Sequence, residues 1–291
     1  MEIQSKQIQW FPGHMAKTKR LIRESLSLVD IVIEILDARI PYSSHNPDIE
    51  KLASGKPRLI LLNKASLASP DVSGWWRNYY KTQNIRCIFT DCNTGEGLNE
   101  IMPAVREILS EKLARYSERG MTGRTLKALV VGIPNSGKST FINRMAGSVK
   151  AKAENRPGVT RDKQWVPTKH GIDLLDTPGV LWPKFEDKLV GENLAITGAI
   201  KDMILDTEAI ACLLISRLRK VAPDLLCQRY KLTEEDLDEE YIDYDVLERI
   251  GKNRGFMMRG GEINTERTSI TLLEEFRSGK IGRITLEIPP K

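Results

Sequence analysis

The chain has 291 residues, 41% of them apolar and 29% charged, with a formal net charge of +5. That length fits two domains rather than one small one, and the apolar content suffices for real cores. The apolar runs fall well short of the ~20 residues that span a bilayer, so no transmembrane helix and no membrane partner are expected. So mild a charge permits a nucleic-acid partner without demanding one.

The segment up to Trp10 has no apolar h-region and carries Glu2, which argues against a secretory signal or transit peptide. Trp10-Phe11-Pro12-Gly13 is an aromatic turn signal. Met15 to Val29 is predicted as a helix with Leu21, Ile22, Leu26 and Val29 in one stripe. Its opposite face, Lys17, Lys19, Arg20 and Arg23, suits solvent or a polyanion. Asp30 to Asp37 is a buried strand running into the loop Asp37-Ala38-Arg39-Ile40-Pro41, and Asn46 to Ala53 a short helix. A second strand, Arg58 to Leu62, ends at Asn63-Lys64. The helix after it carries Trp75, Trp76, Tyr79 and Tyr80 at core spacing. A third strand, Ile85 to Phe89, leads to Thr90-Asp91-Cys92-Asn93-Thr94-Gly95. One long helix is then expected from Leu98 to about Arg115, and a polar linker over Ser117 to Thr125.

Leu126 to Val131 is a strand, followed by Gly132-Ile133-Pro134-Asn135-Ser136-Gly137-Lys138-Ser139 and a helix beginning at Thr140. The pattern G-x-x-x-x-G-K-S between strand and helix is a phosphate cradle. Glycines let successive N–H groups turn inward on an anion, and the helix presents its positive end to it. Lys138 is expected to reach the β- and γ-phosphates and Ser139 to hold Mg²⁺. A basic, irregular stretch, Lys150 to Lys163, contains Thr160. The strand Ile172 to Leu175 ends at Asp176-Thr177-Pro178-Gly179-Val180. Beyond Lys184 the strand–helix alternation stops. Helices are predicted over Ala195–Ile200, Glu208–Leu218, Tyr244–Ile250 and Thr268–Phe276, with a tail strand Arg283–Ile288. The acidic run Glu234 to Glu240 reads as a solvated helix face, and Cys87, Cys92, Cys212 and Cys227 as idle thiols of a reducing cytosol.

A phosphate loop alone does not separate GTP from ATP, but four other pieces bear on it. Asp176 and Gly179 match a D-x-x-G switch, the carboxylate for the Mg²⁺ shell and the glycine N–H for the γ-phosphate. Thr160 stands where a switch threonine meets Mg²⁺ and the γ-phosphate. Asn63-Lys64 matches the start of the guanine-reading N-K-x-D motif, and Asp91-Cys92-Asn93 the loop whose backbone N–H, that of Cys92, reads the guanine carbonyl. All five lie at strand ends, where open α/β sheets bind ligands. In an ordinary small GTPase the base-reading pieces come last, whereas here they come first. The expected fold is therefore α/β: a circularly permuted P-loop GTPase domain over residues 1–183, mostly parallel sheet with helices on both faces, and a smaller helical domain over residues 184–291.

The chain resembles the ribosome biogenesis GTPase A family of circularly permuted GTPases. The resemblance rests on Trp10 to Lys17, Asp37 to Pro47, the phosphate loop, and Asp176 to Pro183. It implies a cytoplasmic GTPase that binds GTP and GDP with Mg²⁺ and times a late step of large ribosomal subunit assembly. It also implies ribosomal RNA contacts from both domains. The helix from Met15 and the cations Lys252, Arg254, Arg259, Arg277 and Lys280 are the expected contacts, and a monomer the expected state. The resulting nucleotide-binding set is Asn63, Lys64, Ser66, Asp91, Cys92, Asn135, Ser136, Gly137, Lys138, Ser139, Thr140, Thr160 and Gly179. Mg²⁺ would fall to Ser139, Thr160 and Asp176. The resemblance also implies K⁺ at Asn135 and, because Val180 replaces the usual water-placing Gln, a catalytic role for His14 beside Lys138, Thr160 and Gly179. An alternative of another class is a nucleotide-dependent RNA-binding scaffold with negligible turnover. One departure stands out. Ser66 occupies the place of the N-K-x-D carboxylate, so a smaller preference for GTP over ATP is expected, near-equal binding of ITP, and a gain from Ser66→Asp.

Overall fold

The computed structural model describes residues 20–53, 55–121, 123–148, 164–179, 181, 187–200 and 206–290. Strands β1 (Ile31–Asp37), β2 (Arg58–Asn63), β3 (Arg86–Phe89), β4 (Leu126–Val131), β5 (Gln164–Pro167) and β6 (Ile172–Asp176) form one six-stranded sheet in the order β3-β2-β1-β4-β6-β5. All pairings are parallel except that of β5 with β6. Every residue of β1 is buried, as a parallel strand covered on both faces requires. Ile31, Ile33 and Ile35 face a core shared with Ile101, Val105, Phe141 and Ile142. Val32 faces the opposite core with Ile22, Leu26 and Ile49, and Leu36 one with Trp76 and Tyr80. The aromatic helix thus does what its spacing predicts: Trp76 is buried, although Trp75 is 53% exposed.

The helices, in chain order, are α1 (Pro41–Ser44), α2 (Pro47–Leu52), α3 (Pro70–Thr82), α4 (Ile101–Ile108), α5 (Ser110–Glu118), α6 (Lys138–Ala146), α7 (Lys188–Ile196), α8 (Thr207–Val221), α9 (Pro223–Tyr230), α10 (Asp243–Arg254) and α11 (Thr265–Arg277). Residues 20–26 are also helical. The single long helix expected after Leu98 is instead a 3-10 turn followed by α4 and α5, broken where Leu109 leaves helical dihedrals. The helix expected at Ala195 starts earlier. Asp187 caps it through Leu189 N–H, and it stops before Gly198, whose positive φ ends a helix at no steric cost. Helix α9 went unrecognised in the sequence despite Pro223 at its first position, a placement that proline favours. Within the acidic run only Glu235–Leu237 forms a short 3-10 turn, so no helix face exists there.

Helix α8 is the centre of the helical part and packs on α10 and α11. Its core includes Ile40 and Ile133, both from loops at the strand ends. The tail is extended but forms no strand. It crosses the loop that carries Ile40 and the turn after β2, with Leu286 N–H on Arg39 O and Ile284 N–H on Leu67 O. Glu287, 6% exposed, accepts from Tyr42 N–H at 2.8 Å and from Asn193 Nδ2 at 2.8 Å, and holds the tail in place.

His45, just past α1, lies between two carboxylates, 3.0 Å from buried Glu34 and 3.3 Å from Glu50. Burial works against the imidazolium, but the two carboxylates outweigh it and raise the His45 pKa. Its folded value then exceeds its unfolded one. The stabilisation is complete below the unfolded value, about 6.5, and is lost as pH rises through the folded value. The unfolding free energy should therefore fall as pH rises from about 6.5 through the folded value, by at most ~1.4 kcal/mol per pH unit, as denaturant titrations at a series of pH values would measure. His45→Gln should flatten that fall, and an equal slope in both proteins would place its origin elsewhere.

Candidate functional site

Parallel pairing brings the carboxyl ends of β1, β2, β3, β4 and β6 to one edge. The register sets Asp37 beside Asn63 and Val130 beside Asp176. Between β4 and α6 the loop from Gly132 turns sharply, with φ of 58° at Asn135 and 99° at Gly137. Gly137 suits a glycine on two counts: its φ of 99° strains any other residue, and a Cβ there would lie 2.1 Å from Asn63 Nδ2 and push that side chain off Ser136 O. Ser136 is buried, and Ser139 and Thr140 are half-buried in the first turn of α6.

Lys138 is 8% exposed, with Nζ donating to Gly132 O at 3.1 Å and Ile133 O at 2.8 Å. Burial pushes its pKa down to about 8, against the pull of Asp176. Asp176 is itself raised by burial, with Lys138 opposing. Its Oδ1 has no hydrogen-bond partner among the described residues. A buried, unpartnered carboxylate oxygen at the end of β6, within electrostatic reach of the start of α6, fits a hard divalent cation, which takes oxygen ligands. Gly179 lies against the loop: a Cβ there would meet Lys138 Nζ and Pro134 Cα, each at 3.0 Å. Thr177 Oγ1 donates to Val130 O at 2.8 Å and pins the turn between Asp176 and Gly179.

Asn63 joins the phosphate side of the site to the base side. Its Nδ2 donates to Ser136 O at 2.8 Å and its Oδ1 accepts from Cys92 N–H at 3.0 Å. Cys92 N–H, expected to face a base carbonyl, is thus directed at Asn63, since a buried N–H takes an acceptor within reach. Lys64 has φ of 62° and sends Nζ to Asp37 Oδ2 at 2.9 Å. Arg39 forks onto the same carboxylate, Nε at 2.9 Å and Nη2 at 2.7 Å. Burial alone would raise Asp37, but Arg39 and Lys64 hold it well below the usual carboxylate range. Burial lowers Lys64, against the pull of Asp37. Ser66 Oγ donates to Asp91 Oδ2, and Asp91 Oδ1 accepts from Asn93 N–H at 2.8 Å and Thr94 N–H at 3.1 Å.

The structure therefore gathers Asn63, Lys64, Ser66, Asp91, Cys92, residues 135–140, Asp176 and Gly179 at the strand-end edge of the sheet. His14, Thr160 and Val180 lie outside the described residues. Asn135 Nδ2 donates to Gly198 O at 2.6 Å and so ties the phosphate loop to the end of α7. Sequence reasoning missed Arg144, which leaves α6 to bind Cys92 O at 3.0 Å and Asn93 O. It carries no motif, and its only signal is a cation in the last turn of the phosphate-loop helix. Two of the cations assigned to a polyanion are engaged within the fold. Arg254 pairs with Glu275, and Arg277 donates to Ile196 O and Ala195 O. Lys252, Arg259 and Lys280 are exposed.

Among known proteins, ribosome biogenesis GTPase A of Bacillus cereus is 45% identical over 97% of this chain and 94% of its own length. The chain belongs to the ribosome biogenesis GTPase A family. A model described as "50S ribosome-binding GTPase" matches residues 127–244. The mouse mitochondrial ribosome-associated GTPase 1 is 32% identical over 96% of the chain and 90% of its own length. The GNP-bound crystal structure of YlqF from T. maritima aligns with a TM-score of 0.64 at 26% identity, covering 94% of this chain and 99% of that one. A GDP-bound structure of the T. maritima protein aligns equally well, over 92% and 98%. The family places a circularly permuted GTPase domain on the phosphate loop and sheet described above. No described helix is long and apolar enough to cross a membrane.

Proposed function

We propose that this chain binds GTP and GDP at the strand-end site and hydrolyses GTP to time a late step in assembly of the large ribosomal subunit, acting as a cytoplasmic monomer. The observation that carries the reading is the Asn63 bridge. One side chain holds the phosphate loop at Ser136 and the base loop at Cys92, so both halves of a nucleotide are met by one rigid edge. Lys138 and the N–H groups of the loop take the phosphates, with Thr140 in the same helix turn. Ser139 and Asp176, with Thr160, would hold Mg²⁺, whose charge would offset that of the phosphate oxygens. Gly179 would offer its N–H to the γ-phosphate, His14 would place the water, and Asn135 would hold K⁺. Residues 1–183 form the GTPase domain and residues 184–291 the domain that engages ribosomal RNA.

The Asn135–Gly198 bond gives nucleotide state a direct path to the helical part. Association with large subunits should accordingly be strong with a non-hydrolysable triphosphate and weak with GDP. It should fall steeply with salt, by roughly 10-fold or more between 50 and 200 mM if several phosphate contacts form. Turnover should rise several-fold on adding large subunits. Co-sedimentation and phosphate release measure the two. Nucleotide-dependent binding without stimulated turnover would favour the scaffold reading, and binding indifferent to nucleotide would sink the switch.

A further inference from the structure

The serine at the guanine-reading carboxylate position is not a lone hydroxyl. Ser66 lies in a 3-10 turn, Ala65–Leu67, that the tail clamps. Arg283 donates to Ala65 O at 3.1 Å and Ala68 O at 3.0 Å, and Ile284 N–H to Leu67 O at 2.9 Å. Across from it, Asp91 is 2% exposed and fixed by two backbone N–H groups on Oδ1, with its own N–H on Glu96 O at 3.0 Å. Ser66 Oγ meets the remaining oxygen, Oδ2. Both partners are thus held by backbone contacts that owe nothing to the bond between them.

A free serine hydroxyl both donates and accepts and can turn to suit either polarity of base edge. A carboxylate only accepts. We propose that Asp91 is the residue that sets base specificity through Ser66: it takes the hydroxyl hydrogen and fixes Ser66 Oγ as an acceptor toward the N1–H and 2-amino donors of guanine. Adenine presents a lone pair at N1, which a fixed acceptor repels and a free hydroxyl would satisfy. Carboxylate and hydroxyl together do the work of the missing N-K-x-D carboxylate, the charge sitting one residue deeper. The reading rests on the guanine nucleotide being the ligand of this site. It replaces the expectation that Ser66 discriminates weakly and that Ser66→Asp would help. An added carboxylate would face Asp91 directly, and like charges at hydrogen-bond distance disfavour ionisation of both.

Competition titration of GTP, ATP and XTP against a fluorescent guanine nucleotide tests this with the full chain and Mg²⁺. The wild-type chain should prefer GTP to ATP strongly. Ser66→Ala, which leaves the Asp91 turn intact, should lower that ratio by about 10-fold. Asp91→Asn reverses the bond: the two backbone N–H groups claim its carbonyl oxygen, the amide nitrogen donates to Ser66, and the hydroxyl then donates outward. XTP, with a carbonyl where guanine has its 2-amino group, should gain about 10-fold relative to GTP in that variant. Ser66→Asp should weaken GTP. A GTP:ATP ratio unchanged in Ser66→Ala, equal weakening of all three nucleotides in Asp91→Asn, or tighter GTP binding by Ser66→Asp would each overturn the role given to Asp91 while leaving guanine binding intact. No GTP preference in the wild-type chain would instead remove the guanine reading itself.

Discussion

Replacing Lys138 with alanine is expected to abolish useful triphosphate binding. The ammonium is buried at the start of α6 and already satisfied by two loop carbonyls, so its position is set before any anion arrives. Burial has pushed its pKa down to about 8, so a polyphosphate beside it would favour the charged form that burial disfavours. Alanine removes that charge and leaves the phosphate oxygens to backbone N–H groups alone. Truncating one side of a buried, hydrogen-bonded charge pair costs roughly 2–5 kcal/mol, equivalent to about 30-fold to several-thousand-fold in affinity. Titration with a fluorescent triphosphate measures it. Affinity within threefold of the unmodified chain would count against the phosphate assignment as a whole.

The phosphate loop was legible because each of its parts is a local signal. Gly132 and Gly137 frame the loop at the motif's spacing, Lys138 and Ser139 follow directly, and the short run Leu126–Val131 before them is buried at five of its six positions as a covered strand is. The permuted order was legible for the same reason, since Asn63 and Asp176 each end a recognisable buried strand. What stayed hidden depends on contacts between residues far apart in the chain. Ser66 and Asp91 are separated by 25 positions, and nothing near either announces their bond. Arg144 looks like an ordinary helix-end cation until its guanidinium is seen on the base loop. That Arg254 and Arg277 are engaged within the fold was hidden for a related reason: composition counts charges, and only the structure shows Glu275 and the carbonyls at the end of α7 as their partners. The tail was misread as a strand because its alternation, Ile284, Leu286 and Ile288, is that of a strand. Its partners turned out to be the loops at Arg39 and Leu67 rather than a sheet edge.

Asp37→Ala should be the most destabilising single change at the site, and it separates fold from chemistry. The carboxylate ends β1 and accepts from Arg39 Nε, Arg39 Nη2, Arg39 N–H and Lys64 Nζ. Arg39 is 1% exposed and cannot lose its proton, while Lys64 is lowered by burial and pulled back up chiefly by Asp37. Alanine would leave an uncompensated buried guanidinium beside a half-buried ammonium, and breaking a buried pair in this way costs roughly 3–5 kcal/mol. Asp37→Asn keeps the shape and one acceptor, so it should lose less. The sign with pH follows from the depressed folded pKa. The contribution of Asp37 is complete above its unfolded value, about 3.9, and fades as pH falls from there toward the folded value. Unfolding free energies of the unmodified chain and of Asp37→Ala, taken from denaturant titrations, should therefore differ most above about pH 5 and converge in acid. A gap at neutral pH below about 1 kcal/mol would mean that Lys64 sheds its proton and Arg39 finds another acceptor. The Arg277 carbonyl, which already lies 3.3 Å from Arg39 Nη1, is the group placed to supply one.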